Sequence, residues 1–357
     1  MNLAFWKNKT VFLTGHTGFK GAWLSFWLHK LGATVIGYAL APNTSHSLYK
    51  DLKLDTKINS VFSDIADLTR LQQEIDIARP EIIFHMAAQP LVQHSFRDPY
   101  ETFKTNLLGT VSMLEAVRHC SSVRAVVVVT TDKCYQNNGL PRPFRENDRL
   151  GGDDPYSSSK ACAELATNAF HQSFFSCGPN KKNTCAIASA RAGNVIGGGD
   201  WAEDRLIPDL IRAIGSNEKL ILRNPKATRP WQFILEPLRG YLMLAQNLCQ
   251  NGDKFSGGWN FGPLGNEARS VEWVVTQVYE ALGISGEWKM SGEKHFKEKQ
   301  MLSLDISKAE QELSWEPMFS VAESIKYTAD WYACHLSGGD LHKITKEQIE
   351  LYEEFIN

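Results

Sequence analysis

Short apolar or β-branched runs alternate with longer segments of helical spacing through the first half of the chain. Continuously apolar runs are typical of strands buried on both faces of a parallel sheet. We predict strands over 10–14, 34–38, 58–62, 82–86, 125–130 and 184–190, and helices over 23–31, 68–78, 99–119 and 155–175. This alternation indicates an α/β fold with a Rossmann-type doubly wound parallel sheet, which binds its ligands at the carboxyl ends of the strands.

The second half of the chain is less regular. Segments 197–201 and 257–263 are rich in turn residues, and helical spacing returns over 206–214, 237–248, 270–282, 307–313 and 345–355. We therefore predict a smaller α/β lobe that interleaves with the sheet. The first domain spans 1–192, with 230–265 returning to it, and the second lobe comprises 193–229 and 266–357.

Composition narrows the class of partner. The chain has 357 residues and a formal charge of −2, without the basic stripe of a nucleic-acid-binding protein, so small molecules are the expected ligands. No apolar stretch approaches the roughly 18 residues of a membrane span, and the N-terminus lacks a signal-peptide core, which indicates a soluble cytoplasmic protein. The cysteines show no metal-ligand spacing, so we expect free thiols and no metal: Cys120, Cys134, Cys162, Cys177, Cys185, Cys249 and Cys334.

A glycine-rich segment follows the first predicted strand and opens a helix. Its residues are Gly15, His16, Thr17, Gly18, Phe19, Lys20 and Gly21. Glycines at this spacing permit a tight turn and leave the amides of a helix N-terminus free for a pyrophosphate, which predicts dinucleotide binding. The second strand ends at 37–42 without the acid that pairs with a ribose, and no Arg for a 2′-phosphate is adjacent. The choice between NAD and NADP therefore stays open.

Polar residues follow the other predicted strands. Asp64 and Ile65 follow the third strand, and the fourth ends at His85 and runs into Ala87, Ala88 and Gln89. The fifth ends at Thr131, Asp132 and Lys133. Because the carboxyl ends of the strands converge on one crevice, we expect these residues near the glycine-rich turn. Singly, Asp64 fits a helix N-terminus, His85 a core position and Asp132 a local turn.

Tyr156 and Lys160 lie four residues apart behind Pro155, which suits a first helical turn. This spacing places both side chains on one helix face. A cation beside a phenol lowers the pKa of the phenol, so we expect Tyr156 to act as a base.

Together these motifs resemble the extended short-chain dehydrogenase/reductase superfamily, with Asn106-x-x-Gly109-Thr110 and Tyr156-x-x-x-Lys160 among them. The resemblance covers nearly the whole chain. It implies that the first domain binds NAD and the smaller lobe a nucleotide sugar, with Tyr156 as base, Lys160 on the cofactor ribose and Thr131 on the sugar hydroxyl. The implied cofactor contacts are Gly15, His16, Thr17, Gly18, Phe19, Lys20, Gly21, Asp64, Ile65, Ala87, Ala88, Gln89, Asn106, Tyr156 and Lys160.

The tripeptide Thr131-Asp132-Lys133 resembles that of nucleotide-sugar 4,6-dehydratases, which carry an acid and a base after the Thr. Other blocks, such as 193–201 and 229–232, are similar to the dehydratases that act on CDP-glucose, which is therefore the implied substrate. Lys133 stands where related enzymes have Glu. It either removes the C5 proton or stabilises the enolate. Phe233 departs from that group, in which we expect His.

The second lobe supplies candidates for holding the sugar nucleotide. The implied substrate contacts are Gln89, Asn194, Trp201, Arg205, Arg229 and Trp231, since Arg binds phosphates and aromatic rings stack on bases. Core packing of the Trp residues and a surface ion pair of Arg205 are the alternatives.

Two other functions remain open at this point. A 4-epimerase or reductase on the same fold would share everything except the acid and base after Thr131. A dinucleotide-binding protein without catalysis would not need Thr131, Tyr156 and Lys160 together. The resemblance also implies a homodimer or homotetramer, in which helices 99–119 and 155–175 pair between subunits.

Overall fold

The computed structural model describes residues 1–356 except 43, 45, 138, 140–141, 177–184, 264–266 and 293–301. Its strands are Thr10–Thr14 (β1), Thr34–Ala39 (β2), Asn59–Phe62 (β3), Ile82–His85 (β4), Ala125–Val129 (β5), Ala186–Ala192 (β6), Asn194–Ile196 (β7), Leu220–Leu222 (β8), Thr228–Arg229 (β9), Trp231–Phe233 (β10), Gly257–Phe261 (β11), Arg269–Ser270 (β12) and Trp288–Met290 (β13).

The α-helices are Phe19–Lys30 (α1), Leu48–Asp51 (α2), Leu68–Ala78 (α3), Val92–Arg97 (α4), Pro99–Phe103 (α5), Gly109–Arg118 (α6), Pro155–Phe170 (α7), Leu206–Ser216 (α8), Leu235–Asn251 (α9), Val271–Ala281 (α10), Ser307–Leu313 (α11), Val321–Leu336 (α12) and Leu341–Ile356 (α13). Lys104–Leu108 and His171–Phe175 are π-helical turns. Short 3-10 turns are Leu3–Trp6, Leu54–Thr56, Asp132–Cys134 and Gly252–Phe255. Among the described residues, no helix combines the length and the apolar character needed to span a bilayer.

A seven-stranded sheet lies at the centre, in the order β3-β2-β1-β4-β5-β6-β11, and all its neighbours are parallel. The chain leaves β1 toward β2 on one side and reaches β4 on the other, so the order reverses between β1 and β4. Thr14 is paired with both Tyr38 and His85 at this point. This strand order confirms the predicted Rossmann-type fold. Open α/β sheets bind their ligands at such a switch point.

The sheet is buried on both faces because its strands are apolar at successive positions. Val127 and Val129 belong to one hydrophobic core, and Val126 and Val128 belong to the other. The side chains of a strand alternate between faces, so each run serves two helix layers.

Segment 257–261 was predicted to be a turn and is instead the edge strand β11. Trp259 and Phe261 are fully buried against β6. Gly258 is required there because a Cβ would lie 2.6 Å from the Arg191 guanidinium. One of the glycines that suggested a turn, Gly258, thus makes room for a buried arginine.

The predicted helix 99–119 is divided into α5, a π-turn and α6, and 155–175 into α7 and a second π-turn. Helices α4 and α12 were not predicted. Thr184, at the start of the sixth predicted strand, and Cys177 lie outside the described residues. None of the other six cysteines, all of which are described, forms a disulfide bond.

Candidate active site

The glycine-rich turn between β1 and α1 is a close-packed cradle. Gly15 has a φ of +78°, and a Cβ there would lie 2.8 Å from the Ala87 nitrogen. A Cβ on Gly21 would lie 2.0 Å from the Gly15 oxygen. Gly18 is the N-cap of α1 and provides no side-chain cap, so amides of the first turn face the cleft. This arrangement fits a pyrophosphate at a helix N-terminus.

The tips of β1 and β4 are joined by the Thr14 hydroxyl. It accepts hydrogen bonds from the amides of Met86 (3.0 Å) and Ala87 (3.1 Å) and bonds to His85 Nδ1 at 2.9 Å. Burial lowers the pKa of His85 to about 3, so the ring is neutral. His85 is thus a core residue that positions the segment bearing Ala87 and Ala88.

Asp64 follows β3, the edge strand of the sheet, four positions away from β5, which precedes the tripeptide 131–133. Its carboxylate accepts a hydrogen bond from the Ala66 amide (2.9 Å) and pairs with Lys104 (2.8 Å). Thr17 donates to the Leu40 carbonyl (2.9 Å), which joins the glycine-rich turn to the end of β2. Both Asp64 and Ile65 line the cleft.

Thr131, Asp132 and Lys133 follow β5 and enter a 3-10 turn. The Thr131 hydroxyl donates to Asp132 Oδ1 (3.0 Å), and Lys133 Nζ lies 3.6 Å from the same oxygen. Asp132 is 1% exposed, and its Oδ2 has no hydrogen-bond partner among the described residues. A buried oxygen without a partner is costly, so this carboxyl is disposed toward a ligand group.

Tyr156 occupies the first turn of α7, where Asp154 is the N-cap and accepts a hydrogen bond from Ser157 (2.9 Å). Burial raises the pKa of Tyr156 above its usual value, and Lys133 and a hydrogen bond with Thr131 oppose this shift. We expected Lys160 to be the main cation lowering this pKa. The structure instead gives that role to Lys133.

Lys160 follows one turn later and is buried. Its ammonium donates to the Val129 carbonyl at 3.2 Å. Burial lowers the pKa of Lys160 to about 8, although Glu164 partly opposes the shift. The side chain is held at the end of β5, beside the catalytic tripeptide.

Gly15, Asp64, Thr131, Lys133, Tyr156 and Lys160 line one continuous cleft of about 1940 Å³, larger than the roughly 300–1,000 Å³ of an ordinary ligand pocket. The volume is sufficient for a dinucleotide and a sugar nucleotide together. Eight cations line the cleft, namely Lys20, Lys104, Lys133, Arg142, Lys160, Arg205, Arg223 and Arg229. Burial and then Arg205 lower the pKa of Lys20 to about 7. Lys and Arg side chains are the usual ligands of diphosphates.

Most of the predicted site residues line this cleft. They are Gly15, Thr17, Gly18, Phe19, Lys20, Gly21, Asp64, Ile65, Ala87, Ala88, Thr131, Lys133, Tyr156, Lys160, Asn194, Arg205, Arg229 and Trp231. Arg205 is also paired with Asp200 at 2.8 Å, so the ion pair and the cleft position occur together. Trp231 donates to the Arg269 carbonyl (3.0 Å) while lining the cleft.

Five predicted site residues lie behind the cleft wall: Asp132, which is 1% exposed, and His16, Gln89, Asn106 and Trp201. His16 is fully buried against Tyr49 and Phe62, because Gly37 leaves room for its ring. Gln89 and Asn106 bond to each other, and Asn106 Nδ2 also donates to the Ser159 hydroxyl (2.9 Å).

Trp201 packs among the rings of His46, Trp331, Tyr332 and His335. These contacts favour core packing of Trp201 over stacking on a nucleotide base.

Phe233 is fully buried and contacts Trp23, Phe319 and Tyr327. It does not line the cleft. Phe in place of the expected His therefore changes core packing and not a direct substrate contact.

Two polar pairs in the cleft were not among the predicted site residues. Lys104 pairs with Asp64 from the π-turn, and Arg223, which follows β8, pairs with Asp204 at 3.5 Å. Lys104 lies within the predicted helix 99–119, but its partner Asp64 is 40 residues away in the sequence. Helical spacing does not predict a contact over that separation. The apolar run of β8 before Arg223 was the available signal for the second pair.

Comparison with known proteins agrees with this geometry. The sequence model of the family described as GDP-mannose 4,6 dehydratase matches residues 12–328. A CDP-glucose 4,6-dehydratase of Salmonella typhimurium is 47% identical over 98% of this chain and 97% of its own length.

Solved structures share the fold. An epimerase of Methanothermobacter thermautotrophicus superposes with a TM-score of 0.80 at 24% identity, covering 94% of this chain and 95% of its own. A dTDP-glucose 4,6-dehydratase of Bacillus anthracis in complex with NAD gives 0.73 at 21% identity, over 90% and 96%. Identities this low speak for the fold alone, whereas the family match extends through both halves of the cleft. The chain therefore belongs to the GDP-mannose 4,6 dehydratase family.

Proposed function

We propose that this enzyme is a hydro-lyase that converts CDP-glucose to CDP-4-dehydro-6-deoxy-glucose and water, with NAD as cofactor. The carrying observation is the Asp132–Lys133 pair next to Thr131: Thr131 and Lys133 line the cleft that also holds Tyr156, and Asp132 is buried behind them. An epimerase would need no such acid and base. The choice of CDP-glucose is supported by the 47% identical relative of that name.

The glycine cradle and the free amides of α1 fit the cofactor pyrophosphate, while Asp64 is placed for the adenine end and Lys160 for a ribose. NAD bound there would supply the hydride acceptor for the oxidation at sugar C4 and the hydride donor for C6. Gly18 leaves the backbone open to the cofactor pyrophosphate, since a Cβ on Gly18 would meet no protein atom nearer than 3.5 Å.

The first chemical step belongs to Tyr156, whose phenolate takes the proton of the C4 hydroxyl. Thr131 orients that hydroxyl. The nearby charges of Lys133 and Arg205 favour the phenolate against the cost of burial. A 4-keto sugar results, and its C5 proton becomes acidic.

Water then leaves across C5 and C6. Lys133 removes the C5 proton or stabilises the enolate, and Asp132 donates a proton to the departing C6 hydroxyl. We assign that donation to Asp132 Oδ2, which has no hydrogen-bond partner among the described residues. When hydride has returned to C6, a proton returns to C5.

The experiment is incubation of the protein and NAD+ with CDP-glucose, TDP-glucose, UDP-glucose and GDP-mannose in parallel, with the products weighed by mass spectrometry. We expect loss of one water from CDP-glucose. Loss of water from another sugar nucleotide alone would overturn the substrate assignment, and an isomer of unchanged mass would indicate an epimerase.

We also propose the division into an NAD-binding domain, 1–192 with 230–265, and a nucleotide-sugar lobe, 193–229 with 266–357. It is supported by β11, which joins the main sheet. A homodimer or homotetramer through α5 to α7 is supported by the exposed side chains of Tyr100, Leu108 and Leu165. The free thiols favour a reducing, cytoplasmic location.

A further inference from the structure

Glu164 lies on α7 two turns after Tyr156 and one turn after Lys160, and spacing by four places all three on one helix face. The side chain is buried, with 4% of the residue exposed. Its carboxylate accepts hydrogen bonds from the hydroxyls of Thr130 (2.5 Å) and Ser189 (2.6 Å) and pairs with Arg191 at 2.6 Å. None of the roles above uses this carboxylate.

The partners of Glu164 come from the elements that carry the reaction. Thr130 immediately precedes Thr131, and its amide donates to the Ala190 carbonyl at 2.9 Å. Ser189 and Arg191 lie on β6, two strand positions apart. One carboxylate therefore ties the helix of Tyr156 to the end of β5 and to β6, directly behind the catalytic tripeptide.

The Arg191 guanidinium is itself anchored. It donates to the Tyr135 hydroxyl (2.7 Å) and to the Glu146 carbonyl (2.9 Å), and it lies 5.0 Å from the centre of the Tyr135 ring. Burial alone would raise the pKa of Glu164, but Arg191 and the hydroxyl donors hold it below its usual value. Glu164 is therefore an anion in a rigid setting.

The charge of Glu164 also acts on Lys160, whose ammonium it favours. Burial keeps the Cys134 thiol neutral by raising its pKa, and it keeps the His85 ring neutral by lowering its pKa. The groups that face Lys160 are Glu164 on α7, Cys134 on the 3-10 turn, His85 on β4, Lys20 on α1 and, behind Glu164, Arg191 on β6. Among them Glu164 is the anion.

We propose that Glu164 is a positioning residue for the dehydration: its carboxylate fixes segment 130–133 against the helix of Tyr156 and keeps Lys160 charged. The first part concerns geometry and the second concerns charge. The inference rests on the proposed function, because it assigns Lys160 and Thr131 their roles in C4 oxidation.

The test is Glu164→Gln, which preserves shape but removes the charge. Lys160 then loses its anion, and its pKa falls below the wild-type value. Since the oxidation step needs the Lys160 ammonium, the high-pH limb of single-turnover C4 oxidation should move to lower pH by about one unit. Ser189→Ala is the matched control, because it removes one hydrogen bond to the same carboxylate without changing charge, and it should leave the limb in place.

A second readout does not depend on turnover. Protein labelled with [6-13C]lysine reports the titration of Lys160, assigned by comparison with Lys160→Arg. We expect the Lys160 resonance to titrate at lower pH in Glu164→Gln and at the wild-type pH in Ser189→Ala.

The outcomes separate the claims. Equal losses of melting temperature and rate in both variants, with unmoved titrations, would mean that Glu164 is structural only and would overturn the proposal. If the wild type dehydrates no nucleotide sugar, the proposed function fails, and the lysine titration still decides whether Glu164 controls the charge of Lys160.

Discussion

Asp132 and Lys133 are adjacent in the sequence but differ in solvent exposure. Asp132 is 1% exposed, whereas the Lys133 side chain is 29% exposed and faces the cleft. The carboxyl is held by Thr131 on one oxygen and leaves the other for a ligand. The pair can thus serve as a fixed acid and a more mobile cation, which is what elimination of water requires.

Replacing Asp132 by Asn should slow water loss more than C4 oxidation, because the amide cannot donate the acid's proton to the leaving hydroxyl. We expect product formation to fall about 100-fold while single-turnover NADH formation changes by less than about tenfold. Rapid-quench mass spectrometry and absorbance at the NADH band measure the two. Equal falls would contradict a separate acid role.

Lys133 can be tested for its two open roles with Lys133→Arg and Lys133→Met. If Lys133 is the C5 base, both variants should lose exchange of the C5 hydrogen with solvent, since Arg stays protonated. If it stabilises the enolate, Arg should retain exchange and Met should not. Deuterium incorporation at C5 by mass spectrometry distinguishes these results, and retention of exchange in both variants would contradict either role.

Phe233 belongs to the core by its contacts. Phe233→His places a polar ring among Trp23, Phe319 and Tyr327, and we expect a loss of about 1–3 kcal/mol in the free energy of unfolding. The KM for the nucleotide sugar should stay within about twofold, because the side chain does not reach the cleft. A large change in KM with unchanged stability would show a substrate contact instead.

At the scale of elements, Gly21 and Gly18 have different surroundings in the turn from β1 into α1. Gly21 packs against the Gly15 carbonyl, and Gly18 faces the cleft. The sequence motif indicates dinucleotide binding, but only the packed structure shows which glycine serves the fold and which serves the ligand.

Gly18→Ala should leave the melting temperature near the wild-type value and weaken NAD binding by about tenfold, since the added methyl group lies where the pyrophosphate approaches. Gly21→Ala should instead unfold or strongly destabilise the protein, because its Cβ would lie 2.0 Å from the Gly15 oxygen. Calorimetric titration with NAD and thermal melting measure the two effects. Equal stability losses would contradict this division.

At the scale of the whole molecule, α5 packs beside α7, and the π-turn at Lys104–Leu108 joins α5 to α6. Leu165 is 57% exposed and Leu108 is 53% exposed, although both lie on helices with otherwise well-packed faces. Exposed apolar groups on neighbouring helices are typical of a subunit interface.

Leu165→Glu should therefore shift the protein toward monomers, because an interface would bury the new charge without a partner. Light scattering after size-exclusion chromatography measures the mass. Met290→Glu, at an exposed position on β13, is the control and should leave the mass unchanged. A wild-type protein that is already monomeric would contradict the proposed oligomer.

The sequence by itself determined the parallel sheet, the glycine cradle and the residues at the strand ends, because these features depend on local periodicity and on the shared direction of the strands. The predicted strand over 10–14 and the predicted helices over 68–78 and 307–313 have the observed bounds. Tyr156, Lys160 and the tripeptide were predicted as site residues for the same reason.

Only the tertiary structure decided which side chains reach the cleft and which charges meet. It placed Trp201 in an aromatic cluster, made β11 from an apparent turn, and made Lys133, not Lys160, the main cation that opposes the effect of burial on the pKa of Tyr156. It also paired Glu164 with Arg191, 27 residues away. Distances of this kind depend on how layers pack over long separations in sequence, and the spacing of residues along one element does not contain that information.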